Sequence, residues 1–211
     1  GSARLLKPFS RFLRNSFDWL YDKLNNWQRT QVNREAVLGQ EISKRVDVLL
    51  FEAEELAREA RFEAAEKKYI EIIGLDPKNF RAFKDLGEVY LNNQNLNEAK
   101  QTFEHALRLK KTLVKEVPKV KGASQQDLEA SQIYFLLSRV FEESNDLPKT
   151  IAYLKRALKI EKHNPRYLDR LIEVSILNKD KITALEAYSD LEQTNPENQK
   201  LTSFKERIQA L

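Results

Sequence analysis

A repeated pattern of apolar side chains constrains this chain more than any other feature. Within residues 80–113, apolar side chains recur every three or four positions in two stretches, which predicts two amphipathic helices. Asn92, Asn93 and Asn95 lie between the stretches and favour a turn, because their short amides bond to nearby backbone groups. Gly87 lies beside the apolar stripe of the first helix and lets a neighbouring helix approach closely. The segment is therefore predicted to be a helical hairpin.

The pattern of residues 80–113 occurs three more times along the chain. The position of Phe83 is matched by Leu49 before it and by Tyr134 and Leu168 after it. The first and last of these intervals are equal, and the longer middle one is a full period plus the insertion at residues 114–130. Because one hairpin cannot bury its apolar face alone, the repetition predicts an all-α solenoid of stacked hairpins. The predicted hairpins are residues 46–79, 80–113, 131–164 and 165–198.

The second hairpin resembles the tetratricopeptide repeat family, whose pattern is an aromatic residue, Leu-Gly, Tyr, then Ala, a second aromatic residue and Pro. The side chains that carry the resemblance are Phe83, Leu86, Gly87, Tyr90, Ala99, Phe103 and Ala106. The resemblance implies a right-handed superhelix whose first helices line a concave groove. It also implies a scaffold that binds a protein or peptide in that groove without catalysis.

The resemblance further indicates which side chains face the groove. They are Leu50, Glu54, Arg81, Lys84, Glu88, Leu91, Phe135, Arg139, Arg166, Asp169 and Glu173. Most of these are charged, with both signs present, which suits an extended polar peptide or a folded partner. The expected apolar anchors of the groove are Leu50, Leu91, Phe135 and Ile176, and the alternative is that some of them pack against neighbouring helices.

One activity of the family is not expected here. Tetratricopeptide co-chaperones hold the C-terminal carboxylate of Hsp70 or Hsp90 with Lys, Asn and Arg side chains. The matching positions in this chain are Leu50, Glu54, Asp85, Gln132 and Leu136. Two of these would repel a carboxylate and two could not bind it, so an Hsp70 or Hsp90 tail is not the expected partner.

The segment before the hairpins has a different character. Residues 3–28 carry apolar side chains at helical spacing, both tryptophans and several bases, which predicts an amphipathic helix. Its characteristic side chains are Phe9, Phe12, Phe17, Trp19, Trp27, Arg11 and Arg14. Three roles stay open, since this helix could cap the solenoid, contact a membrane surface or mediate self-association. Residues 29–46 are predicted to begin a long helix that continues into the first hairpin.

Three shorter segments complete the predicted organisation. Gly1-Ser2 is interpreted as the remnant of a protease cleavage site and is left out of the fold. Residues 114–130 form a lysine-rich insertion, predicted to lengthen two helices around a short loop. The insertion lacks aromatic side chains that stack on bases, so nucleic acid is not an expected partner. Residues 199–211 are predicted to be a closing helix with its apolar face inward.

The composition offers little for catalysis. The chain has no cysteine, two histidines and five dispersed glycines, which excludes thiolate metal sites and glycine-rich phosphate loops. We therefore expect no enzyme activity, no cofactor and no metal. The expected location is the cytoplasm, with the cytoplasmic face of a membrane as the alternative. An alternative function is a regulatory or substrate-recruiting module of a larger enzyme, of which this sequence would be one part.

Overall fold

The computed structural model describes residues 37–114 and 125–211, and the regular secondary structure in these ranges is α-helical. The first described helix, α1, spans residues 37–58. The helices that follow are α2 Phe62–Leu75, α3 Phe80–Asn92, α4 Leu96–Val114, α5 Gln125–Glu143, α6 Leu147–Ile160, α7 Pro165–Leu177, α8 Lys181–Thr194 and α9 Leu201–Gln209. The predicted amphipathic helix of residues 3–28 and the loop within the 114–130 insertion lie outside the described residues.

The chain divides into two compact units, residues 1–48 and residues 49–211. In the first unit, the described residues 37–48 are helical, and Val37, Leu38 and Val48 are exposed. The second unit contains the remainder of α1 and the helices α2 to α9. The candidate site lies entirely within this second unit.

The helices of the second unit form hairpins in a regular register. The second helices begin at Phe62, Leu96, Leu147 and Lys181, which reproduces the spacing of Leu49, Phe83, Tyr134 and Leu168 in the sequence. The turn before each of these helices contains one residue whose φ lies between 56° and 62°. These residues are Ala60, Gln94, Asn145 and Lys179, and they show the same spacing. The predicted architecture of repeated α-helical hairpins is therefore confirmed.

Asparagine side chains mark the start of two first helices. Before α3, Asn79 Oδ1 accepts a hydrogen bond from the Ala82 backbone N–H at 2.9 Å. Before α7, Asn164 Oδ1 accepts one from the Arg166 backbone N–H at 3.1 Å. Such N-caps satisfy backbone donors that have no partner inside the helix, so each first helix begins at a defined residue.

The two helices that flank the insertion are longer than their neighbours. Helices α4 and α5 have 19 residues each, whereas the other helices from α2 to α8 have 13 or 14. Lys110 of α4 forms an ion pair with Glu129 of α5, and its Nζ lies 4.2 Å from the ring centre of Phe80. These contacts connect the second hairpin with the third.

Gly87 allows α3 and α4 to pack closely, as the sequence predicts. A β-carbon at this position would lie 2.7 Å and 2.9 Å from Cδ1 and Cζ of Phe103, and closer still to a third ring carbon. Phe103 is fully buried, together with Ala99 and Ala106 of the same helix. The large ring therefore occupies the space that the missing side chain of Gly87 leaves free.

Helix α9 closes the C-terminal end of the second unit. Leu201, Phe204 and Ile208 are buried and belong to one core with side chains of α7 and α8. Lys205 and Glu206, on the other face, are exposed. Because a terminal repeat has no following neighbour, this division into apolar and polar faces is the one expected of a closing helix.

Candidate partner-binding groove

Two neighbouring cavities lie along the first helices of the hairpins. The first, of about 490 Å³, is lined by residues of α1, α2 and α3. The second, of about 340 Å³, is lined by residues of α3, α5, α7 and the turn between α6 and α7. Lys84 and Glu88 of α3 line both cavities. The two cavities are therefore adjacent at α3, and together they are called the groove here.

Seven of the eleven side chains predicted to face the groove line these two cavities. They are Glu54, Arg81, Lys84, Glu88, Phe135, Arg139 and Arg166. These side chains lie close together because equivalent positions on stacked first helices face the same side of the array.

The other four predicted groove residues lie in different surroundings. Leu50 and Leu91 are buried, with 6% and 2% of their surface exposed, so neither is available as an apolar anchor. Leu91 belongs to the core that α3 shares with α4 and α5. Asp169 and Glu173 accept hydrogen bonds from Lys200 Nζ, at 2.6 Å and 3.1 Å respectively. Their carboxylates thus connect α7 with the start of the closing helix.

The first cavity contains a network of charges on α1 and α3. Arg81 pairs with Glu54 of α1, and its Nε lies 3.6 Å from Asp85 Oδ2. Lys84 Nζ lies 2.9 Å from Asp85 Oδ1 and 3.6 Å from Glu88 Oε1. Burial raises the pKa of the Asp85 carboxyl, although Lys84 and Arg81 act in the opposite direction. The charges in this cavity are therefore largely balanced by one another.

Tyr69 and Asp85 line the first cavity although neither is among the eleven predicted groove residues. Tyr69 is almost completely buried, and burial, with added repulsion from Asp85 and Glu54, raises the pKa of its hydroxyl. For Asp85 a signal was present, since it lies four residues after Arg81 and so shares its helix face. Tyr69 lies one repeat period before Phe103, and both rings are buried.

An aromatic stack forms one wall of the second cavity. The rings of Phe135 and Tyr167 have centres 4.9 Å apart and planes inclined by 22°. The guanidinium of Arg166 lies over Phe135, 4.5 Å from the ring centre. Phe135 is buried and contacts both Tyr167 and Arg166, so it serves as a platform for Arg166 rather than as a freely exposed anchor.

Ion pairs connect successive first helices at most of their junctions. Arg81 of α3 pairs with Glu54 of α1, and Arg170 Nε of α7 donates to Glu142 Oε2 of α5 at 2.9 Å. Lys200, directly before α9, connects to α7 as described above. Within the described parts of the chain, α3 and α5 share no such pair. The second cavity lies at this junction.

Stacked helical hairpins with a groove along their first helices define a helical-repeat scaffold. A family model described as the tetratricopeptide repeat matches residues 81–113 of this chain. The matched segment is the second hairpin, and the hairpins on either side of it repeat the same helical spacing. No curated protein sequence matches it.

Solved structures with the same fold include several tetratricopeptide arrays. MamA is 14% identical, with a TM-score of 0.59 over 80% of this chain and 92% of MamA. YrrB, described as a TPR protein with an unusual peptide-binding site, is 17% identical, with a TM-score of 0.51 over 74% of this chain and 80% of YrrB. The Thermobaculum terrenum O-GlcNAc transferase is 18% identical, with a TM-score of 0.55, but only 26% of its chain is covered. At these identities the likeness concerns the fold.

Proposed function

We propose that this protein is a non-catalytic scaffold that binds an extended segment of another protein in the groove. The observation that carries the proposal is that the two cavities lie side by side and share Lys84 and Glu88 as lining residues. A chain lying across α3 would contact first helices of successive hairpins on both sides. YrrB, with the same fold, is described as having a peptide-binding site, which supports a binding role for such an array.

The lining of the groove favours a polar ligand. The first cavity offers charges of both signs on α1 and α3, and the second offers arginines beside an aromatic stack. Leu50 and Leu91 are buried, so the groove lacks two of the aliphatic anchors that the sequence suggested. Affinity must therefore come mainly from hydrogen bonds and ion pairs to a segment that the groove holds in extended form.

The test uses the single side chain best placed to block the groove. Glu88→Trp adds an uncharged, bulky side chain between the two cavities, and Glu104→Trp makes the same change on α4, outside both cavities. Peptides are selected on the intact protein from a display library of random segments of about 12 residues, which extend to about 40 Å. We expect binding to fall at least about tenfold in Glu88→Trp, because the ring blocks the groove, and to persist in Glu104→Trp.

The opposite result would place the binding surface elsewhere. If the selected peptides bind wild type and Glu88→Trp equally well, the groove is not their site. If no peptide that Glu88→Trp weakens can be selected, binding of extended segments in the groove is refuted. Circular dichroism of both variants verifies that the helices are retained.

We also propose that residues 3–28 bind a membrane surface or mediate self-association. The proposed location is the cytoplasmic face of a membrane. None of the helices in the described ranges has the length and apolar character of a membrane span. The proposal rests on the aromatic and basic side chains of the segment, including Trp19, Trp27, Arg11 and Arg14. Co-sedimentation with anionic vesicles should be lost when residues 3–28 are deleted, and light scattering should show whether the same deletion changes the mass. Unchanged behaviour in both assays would refute these roles.

A recruiting module of a larger protein is the second candidate function. The matched part of the O-GlcNAc transferase structure covers 26% of that chain, so an array of this fold occurs there within a larger protein. This alternative predicts that the partner of the groove is a substrate of a catalytic domain in the same polypeptide. Sequencing the complete gene is the direct test, because a catalytic domain in the same reading frame is required.

A further inference from the structure

We infer that the segment bound in the groove is acidic, and that a Glu or Asp side chain of the ligand binds between Arg139 and Arg166 in the second cavity. This inference rests on the proposed function and specifies the chemistry of its ligand. The inference depends on which charged side chains of the groove form ion pairs with other described residues and which do not.

The charges at the other junctions between first helices are used within the protein. Glu54 is bound by Arg81, and Glu142 is bound by Arg170. In the second cavity, Lys84 is likewise engaged, with Asp85 at 2.9 Å and Glu88 at 3.6 Å. A ligand carboxylate that approached any of these cations would have to displace a carboxylate that is already present.

Two arginines of the second cavity are in a different situation. Arg139 makes no ion pair or side-chain hydrogen bond with the described residues, and Arg166 contacts only the face of the Phe135 ring through its guanidinium. Guanidinium groups bind carboxylates through paired N–H donors, which is among the stronger side-chain interactions. Both arginines line one cavity, so one ligand carboxylate can be reached from two elements, α5 and α7.

The cavity also contains a carboxylate, Glu161, but its oxygens already accept hydrogen bonds from neutral donors. Oε1 accepts from the hydroxyls of Ser131 and Tyr167, the latter at 3.3 Å, and Oε2 accepts from Asn164 Nδ2 at 3.1 Å. Glu161 therefore positions the turn before α7 and forms no ion pair with Arg139 or Arg166. Among the described residues that line the second cavity, Arg139 and Arg166 are therefore the cations without an ion-pair partner.

The charge of the cavity also indicates which anion fits. Its lining holds three cations (Lys84, Arg139 and Arg166) and two anions (Glu88 and Glu161), a net charge of +1. A single carboxylate neutralises this charge. A phosphorylated side chain carries about −1.5 to −2 and would leave an excess of negative charge beside the two glutamates. The net charge of the cavity thus favours an unmodified Asp or Glu side chain of the ligand.

The test compares three arginine variants with peptides selected on the wild-type protein. Arg139→Gln and Arg166→Gln remove the two proposed ligands, and Arg156→Gln is the matched control. Arg156 lies over the Tyr153 ring at 4.6 Å, the same kind of contact that Arg166 makes with Phe135, but it does not line the groove. Wild-type selection should enrich Asp and Glu over the unselected library. Each groove variant should weaken the selected peptides by about tenfold, and Arg156→Gln should leave them unchanged.

The peptide provides a second measurement that does not depend on the folding of any variant. Replacing its acidic residues by Gln or Asn should weaken binding to wild type by about tenfold, and have little further effect on the Arg139→Gln/Arg166→Gln double variant. Peptides that Glu88→Trp weakens but that are neutral or basic would overturn this inference and leave the proposed function standing. Acidic peptides that bind equally well to both arginine variants would overturn it too. Failure to select any groove-dependent peptide would overturn the proposed function itself.

Discussion

Replacing Gly87 by alanine should destabilise this protein, although alanine is the better helix former. Gly87 lies within α3, and a β-carbon there would lie under 3.0 Å from three carbons of the Phe103 ring. Phe103 is fully buried, so its ring has no free space into which it can move. Alanine at this position therefore favours the helical backbone of α3 but disturbs the packing of α3 against α4.

Magnitudes decide which effect prevails. Alanine gains roughly 1 kcal/mol over glycine inside a helix, whereas an extra carbon in a filled core costs typically about 1–3 kcal/mol. Three overlaps with a rigid, enclosed ring place Gly87→Ala near the upper end of that cost. The net loss of unfolding free energy should be about 1–2 kcal/mol.

The assay is urea denaturation followed by far-ultraviolet circular dichroism, with Gly74→Ala as the control. Gly74 lies in the last turn of α2, and a β-carbon there would meet no atom within 4 Å, so alanine should stabilise by up to about 1 kcal/mol. In a Phe103→Leu background, Gly87→Ala should lose most of its penalty. If Gly87→Ala were as stable as wild type while Gly74→Ala showed its gain, the close approach of Phe103 to α3 would be refuted.

Two further predictions concern the C-terminal end. Burial alone would raise the pKa of Glu173, but hydrogen bonds from Arg170 and Lys200 lower it below its ordinary value of 4.5. Its charge therefore stabilises the fold above about pH 4.5, and this contribution is lost as the pH falls through the lowered pKa. The difference in urea midpoint between wild type and Glu173→Gln should shrink from pH 7 to pH 3, and a constant difference would contradict the ion pairs. Phe204→Ala should cost about 3–5 kcal/mol in the packing of α9, and hydrogen exchange should show α9 losing protection before α3.

The arrangement of the hairpins was predictable because it depends on side-chain size at fixed intervals. In the other hairpins, the position equivalent to Phe103 holds a large side chain and the position equivalent to Ala99 holds a small one. Such a pattern allows few alternative registers. Gly87 was recognisable for the same reason, since a missing side chain beside an apolar stripe indicates close packing. The asparagine caps also carried a signal, because Asn79 and Asn164 occupy equivalent positions before their helices.

The candidate site was less predictable, because a repeat pattern specifies which face a side chain lies on but not what covers it. Leu50 and Leu91 occupy groove positions by register, yet neighbouring helices bury them. Asp169 and Glu173 are engaged by Lys200, which lies 31 and 27 residues away. Such ion pairs form where long side chains extend from one helix to another. A periodic sequence pattern does not indicate which of these side chains meet.

The insertion explains why the unpaired arginines lie where they do. It falls between α4 and α5, and there the lengthened helices supply a connection through Lys110 and Glu129. At the other junctions, ion pairs between first helices provide that connection and use the charges of the groove. Because the Lys110–Glu129 ion pair already joins the second and third hairpins, Arg139 is not needed for an ion pair between them. An acidic ligand at this junction would gain an ion pair without breaking an existing one, which makes it the most favourable place in the groove for a carboxylate.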